Sequence, residues 1–241
     1  MPSGIERTHF GDAQELNLDS APTCCDNALM LSIDITETLL PYSEEDYTRW
    51  CNKDWWLSGQ CKTLLPESEW DRIESKFRKQ ATGPPGPGNH FAETLQMRAL
   101  EAEGLKWQYE DASFFDSDFF DWDFFRPPFG RARAKGHPNV YTLMVEAFGE
   151  DKLQCIKELA DEFRAATGVS VKKADLFAYR QDGCRVIPVR FVECKFKDPV
   201  TEGQLLALAL MADVLNIPVQ LVRYVEPNRM SRGGDRYQRK F

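Results

Sequence analysis

Two neighbouring runs, Lys173-Ala-Asp-Leu-Phe-Ala-Tyr179 and Val189-Arg-Phe-Val-Glu-Cys-Lys-Phe196, alternate as β-strands do. In the first, Leu176 and Ala178 alternate with Asp175, Phe177 and Tyr179. In the second, Val189, Phe191, Glu193 and Lys195 share one face of the pleat. Side by side, the two strands bring Asp175, Glu193 and Lys195 to one point of a sheet. Two carboxylates beside an ammonium attract a hard divalent cation, and such a set suits hydrolysis of a phosphodiester. The plain alternative is a solvated ladder of ion pairs on an edge strand. Phe191 and Val192, apolar on opposite faces, argue instead for a strand covered on both sides.

Around this pair the chain reads as helices and short strands. Ser43 followed by Glu44, Glu45 and Asp46 is an N-cap with an acidic first turn, opening a helix through Trp50 towards Trp56. Pro66 opens a second helix that ends before Ala81, and Thr82-Gly-Pro-Pro-Gly-Pro-Gly88 is a linker. His90 to Glu103 is amphipathic, with Phe91, Leu95 and Leu100 inward, and Leu105 to Tyr109 alternates as a strand. Asp151 to Thr167 is a helix ended by Gly168. Thr201-Glu-Gly-Gln204 carries a capping-box pattern, and the helix behind it is apolar almost all round, hence buried. Ile217 to Val225 is expected as the last strand, with a basic tail over residues 227–241. Residues 1–40 give weak signals, and residues 1–82 as a whole read as a mostly helical N-terminal region.

With 241 residues, 42% hydrophobic and 12% aromatic, the chain is long enough for one sizeable domain. The longest apolar run, Leu205 to Ala212, is far short of the roughly 20 residues that cross a bilayer, so no membrane role is expected. The start of the chain lacks the apolar core of a cleavable signal peptide, and the seven cysteines, with Cys24 and Cys25 adjacent, follow no framework spacing. Both features lead to the expectation of reduced thiols in an intracellular protein of cytoplasm or nucleus. A zinc site using Cys51 and Cys61 is disfavoured, because His9, His90 and His137 have no finger spacing. The net charge of −8 weighs against a protein that coats nucleic acid, yet a local basic surface suffices for a nuclease.

The segments Ala174-Asp-Leu-Phe-Ala-Tyr-Arg180, Arg190-Phe-Val-Glu-Cys-Lys195, Thr201-Glu-Gly-Gln-Leu-Leu206 and Ile217-Pro-Val-Gln-Leu-Val222 together resemble the PD-(D/E)xK nuclease superfamily, and most closely its virus-type replication-repair (VRR-NUC) branch. The resemblance covers residues 174–225 well and 90–110 loosely. Ala174 departs from the pattern, where the family has a proline that serves the backbone. The resemblance implies an α/β fold, a restriction-endonuclease-like core with a mixed central sheet flanked by helices, spanning residues 89–226 with an insertion at about 112–170. It implies Mg2+ or Mn2+ held by Asp175, Glu193 and the backbone carbonyl of Cys194, and catalytic roles for Lys195, Gln204 and a helix-borne glutamate. Glu93 is the candidate for that glutamate, with Glu158 and Glu162 as rivals. Gln204 is equally readable as the capping-box residue alone.

Phosphate contacts are expected from Lys172, Lys173, Lys197 and the cluster Arg126, Arg131, Arg133 and Lys135, each chiefly positional. The expected activity is a metal-dependent endo- or exonuclease on DNA, with branched or flapped DNA in repair suggested by the resemblance. The alternatives are a defence or toxin nuclease on duplex DNA, and an inactive nuclease-fold adaptor. The quasi-repeat from Phe114 to Phe125 fits neither the helix nor the strand period, and it or the N-terminal region could dock a protein partner. A homodimer is compatible with the sequence.

Overall fold

The computed structural model describes residues 31–52, 91–109 and 140–241. The helix expected after Pro66, the linker at 82–88, the Phe114 to Phe125 repeat and the Arg126 to Lys135 cluster lie outside the described residues. Along the chain the elements are β1 (Ser32–Thr36), β2 (Thr38–Pro41), α1 (Glu44–Cys51), α2 (Phe91–Ala102), β3 (Lys106–Tyr109), α3 (Val140–Phe148), α4 (Glu150–Thr167), β4 (Leu176–Asp182), β5 (Arg185–Lys195), α5 (Glu202–Val214), β6 (Val219–Val225), a 3-10 turn (Pro227–Arg232) and β7 (Arg236–Lys240).

A five-stranded sheet runs in the order β2-β6-β5-β4-β3. The β2–β6 and β6–β5 pairs are parallel, and β5–β4 and β4–β3 are antiparallel, so the sheet is mixed. Helices cover both faces. On one, Phe91, Met97 and Leu100 of α2 and Trp50 of α1 pack on Leu176, Ala178, Val192, Cys194 and Tyr224. On the other, Leu153, Ile156 and Ala160 of α4 and Leu206 and Leu210 of α5 pack on Phe177 and Phe191. The alternation read in the β4 segment thus divides its side chains between two cores. α3 and α4, within the span read as an insertion, form part of this second layer.

Val189 departs from expectation. Ala178 pairs with Arg190 while Tyr179 pairs with Pro188, which leaves Val189 as the extra residue of a bulge. It packs with the cluster around Val192 instead of sharing the face of Phe191. Pro188 beside it has no N–H to give the ladder, which is where a bulge costs least.

The N-terminal region is not mostly helical in its described part, since residues 31–41 form β1 and β2. Leu31, Ile33, Ile35 and Glu37 are buried and the residues between them exposed, a period of two. β6 is not the last strand either. β7 pairs antiparallel with β1, from Ser32 against Lys240 to Thr36 against Arg236, and Arg236 grips Asp34 with Nε 2.7 Å from Oδ1. Ile33 and Ile35 lie on Leu205, Leu208 and Ala209, so α5 is sandwiched between the large sheet and the β1–β7 ribbon. That is why its sequence is apolar all round.

Cys51, Cys184 and Cys194 are free thiols, whereas Cys155 on α4 is disulfide-bonded, so the expectation of reduced cysteines throughout is not met at that position. Among the described residues no helix is long and apolar enough to cross a membrane.

Candidate active site

Asp175 stands one residue before β4, and the register that pairs Leu176 with Val192 carries it to the end of β5. Its Oδ2 accepts the backbone N–H of Cys194 at 2.7 Å, closing the two strands across the site. Loss of water around the carboxyl pushes its pKa well up, and the charges of Glu193 and Glu93 add to this. The Cys194 N–H and Lys195 act in the opposite direction without outweighing it.

Glu193 and Lys195 lie on the Phe191 face of β5, which α5 covers. Glu193 is only 1% exposed. Its Oε1 accepts from Lys195 Nζ at 2.9 Å and from Gln204 Nε2. Its Oε2 is buried and has no hydrogen-bond partner among the described residues. Burial pushes the Glu193 carboxyl up to about 7, against the pull of Lys195. Lys195, 3% exposed, is held by Glu193 and by Asp198, whose Oδ2 lies 2.8 Å from Nζ. Desolvation works against its charge, but the two carboxylates prevail and raise its pKa.

Gln204 unites the two readings of its sequence pattern. Its Oε1 accepts the N–H of Thr201 at 2.9 Å, as a capping box requires, while Nε2 reaches across to Glu193. α5 is brought this close by Gly203. A Cβ at Gly203 would lie 2.1 Å from the Ser170 carbonyl oxygen, and the Gly203 carbonyl accepts the N–H of Lys172 at 3.0 Å.

Glu93, in the first turn of α2, is near enough for its charge to bear on Asp175, Glu193 and the Cys194 thiol. Its rivals Glu158 and Glu162 are exposed on α4, and Glu158 is bonded by Gln154 at 2.8 Å. Cys194 itself is buried, and burial pushes its thiol well up, so the side chain is inert. Of the lysines expected on phosphates, Lys172 is exposed and Lys173 half-buried. Lys197 lies 4.9 Å above the Tyr47 ring and 3.3 Å from its hydroxyl, which fixes the ammonium beside α1.

Asp198 was not foreseen. Its signal in the sequence is only its place three residues after Lys195; besides Lys195 it accepts the N–H of Phe196 at 3.4 Å. Glu37, Arg223 and Tyr237 were likewise not singled out.

Among the described residues no group of three or more His, Cys, Asp or Glu side chains is drawn together tightly enough to form a ready cation cage. The donor set nevertheless fits a hard divalent cation. Glu193 is buried and Asp175 half-buried, desolvation raises the pKa of both carboxyls, Glu93 adds negative charge, and the orphaned Glu193 Oε2 has unused lone pairs. Lys195 is an ammonium engaged with Glu193, and it is shared with Asp198. No protein-family model matches the chain, and comparison with curated proteins and with solved structures finds no significant match.

Proposed function

We propose that the protein is a metal-dependent deoxyribonuclease of restriction-endonuclease-like fold that hydrolyses phosphodiester bonds. The observation that carries the reading is the meeting of Asp175, Glu193, Lys195 and Gln204 at the joint of β4, β5 and α5, with Glu193 Oε2 buried and unsatisfied. A buried carboxylate oxygen without a donor costs free energy, and a cation ligand removes that cost. Asp175 and Glu193 would hold Mg2+ or Mn2+, which supplies charge neutralisation at the phosphate and a more acidic water. Glu93, whose charge bears on Asp175 and Glu193, would supply a further carboxylate.

The residues of the chain then have separable tasks. Lys195 is a fixed positive donor, held by Glu193 and Asp198, that can stabilise the charge developing on the phosphate oxygens. Gln204 holds Glu193 Oε1 and so leaves Oε2 free for the cation. The Cys194 N–H orients Asp175. Lys172 and Lys173, on the segment leading into Asp175, are placed to meet the backbone of a polyanion.

The test is incubation of the purified protein with duplex, single-stranded, flap and four-way-junction DNA in Mg2+ or Mn2+ and in EDTA. Cleavage that needs the metal and is lost in Glu193→Gln is expected. Binding of DNA without cleavage under every metal condition would instead identify an inactive adaptor.

A further inference from the structure

Glu37 is a buried carboxylate that none of the steps above uses. It follows β1 and continues the alternation of Leu31, Ile33 and Ile35, so its side chain is directed into the molecule. There it meets the guanidinium of Arg223 on β6. Arg223 Nε lies 3.0 and 2.9 Å from the two carboxylate oxygens, Nη2 lies 2.6 Å from Oε1, and the Tyr237 hydroxyl donates to the same oxygen at 3.0 Å. The opposite edge of the guanidinium does different work. Arg223 Nη1 donates to the carbonyl oxygens of Phe196 at 3.4 Å and Asp198 at 2.9 Å. These carbonyls belong to the turn that follows β5, and the Asp198 side chain from that turn holds Lys195 Nζ. Arg223 also stands opposite Lys195 in the parallel β5–β6 register.

We propose that Glu37 and Arg223 are positioning residues, which fix the turn at 196–198 and through Asp198 set the place of the Lys195 ammonium. Lysine is a flexible chain, and Glu193 alone would leave it free to swing about one contact. A guanidinium can bind a carboxylate with one edge and carbonyls with another, which a single ammonium cannot do. Glu37 orients that fork, and Gly234 makes room for the Glu37 backbone. A Cβ at Gly234 would lie 1.9 Å from the Glu37 carbonyl oxygen, so the segment leading into β7 passes directly against the Glu37 backbone. The consequence for turnover rests on the nuclease reading, whereas the placement of the ammonium does not.

Two measurements test it. In protein labelled with 15N-lysine, the Lys195 ammonium, being buried, should give a slowly exchanging signal that Lys195→Gln identifies. Arg223→Lys, Glu37→Gln and Asp198→Asn should each broaden or shift that signal, and Arg223→Lys with Asp198→Asn should look like Asp198→Asn alone. A folded Arg223→Lys with the wild-type Lys195 signal overturns the proposal. Should Arg223→Lys not fold, Glu37→Gln with Arg223→Gln, which removes both charges and leaves no buried ion unpaired, is read by the same criterion. On DNA with Mg2+, Arg223→Lys should lower kcat about 10–100-fold with KM little changed. Its effect should vanish in the Asp198→Asn background; two fully additive losses overturn the relay through Asp198. A wild-type protein that cuts no DNA removes the nuclease reading alone, and the lysine signal still decides the positioning.

Discussion

Gly203 lies against the carbonyl of Ser170 so closely that any Cβ would stand 2.1 Å from that oxygen. The contact joins the start of α5, which carries Gln204, to the segment that leads into Asp175. Gly203→Ala must therefore push the two apart. Helix propensity favours alanine by about 1 kcal/mol, but overpacking against backbone costs about 1–3 kcal/mol. Urea unfolding should show a net loss of stability, and cleavage should fall because Asp175 and Glu193 no longer share one geometry. Undiminished stability and activity would show that the segment yields freely.

Asp175→Ala, Glu193→Ala and Lys195→Ala should each abolish cleavage. Asp175→Ala combined with Glu193→Ala should lose little beyond either alone, because groups that act as one unit are not additive. Glu93→Gln should impair turnover, whereas Glu158→Gln and Glu162→Gln, on the exposed side of α4, should not. Lys195→Ala should also destabilise the metal-free protein, because it removes the donor shared by Glu193 Oε1 and Asp198, although Glu193 can answer by holding a proton.

The Glu193 carboxyl, raised to about 7 from an ordinary 4.5, makes a prediction about pH in the absence of metal. The folded state holds a proton there that the unfolded state has released, so stability falls as pH rises from about 4.5 to 7. Other groups titrate as well, and the difference between wild type and Glu193→Gln isolates this one. Urea midpoints for wild type relative to the variant should decline across that window. Mg2+ or Mn2+ should restore them at neutral pH, because the cation takes the place of the proton. A flat difference would mean that the cluster does not bear its charge as described.

Gln204 serves a cap and a carboxylate at once, and two substitutions separate the tasks. Gln204→Ala removes both, so stability should drop by about 0.5–2 kcal/mol and turnover should fall. Gln204→Glu keeps an acceptor for the Thr201 N–H but sets a second negative charge beside Glu193 Oε1. It should keep the helix end intact, as circular dichroism and unfolding would show, and lose cleavage. Wild-type activity in Gln204→Glu would reduce Gln204 to a cap.

Much of this site is legible in the sequence because polar residues break an apolar alternation. Asp175, Glu193 and Lys195 stand among Leu176, Phe177, Phe191 and Val192, where a charged residue has no bland place. The burial of α5 follows from Leu205 to Met211 being apolar on every side. Other features depend on geometry that no period records. The bulge at Val189 arises from how β5 passes Pro188, and Asp198 acquires its partner only when the turn after β5 closes. β1 is legible in principle from the alternation of Leu31 to Glu37, but a strand whose every second residue is polar presents no apolar run. β7 offers little such signal: in Arg236 to Lys240 only Tyr237 has an apolar body, and the run becomes a strand because β1 presents an edge to it.

The β1–β7 pairing also sets a timetable for folding. Asp34 and Arg236 are 202 residues apart. At about 5–20 residues per second of synthesis, β1 waits roughly 10–40 seconds for its partner strand to be made. Through that interval Ile33 and Ile35 lie on a segment without its partner strand, and α5, on which they pack, is itself made only near the end of it. So distant a contact makes folding slow. The charge of Asp34, with the hydroxyls of Ser32 and Thr36 on the exposed side of β1, then disfavours wrong strand partners until Arg236 arrives.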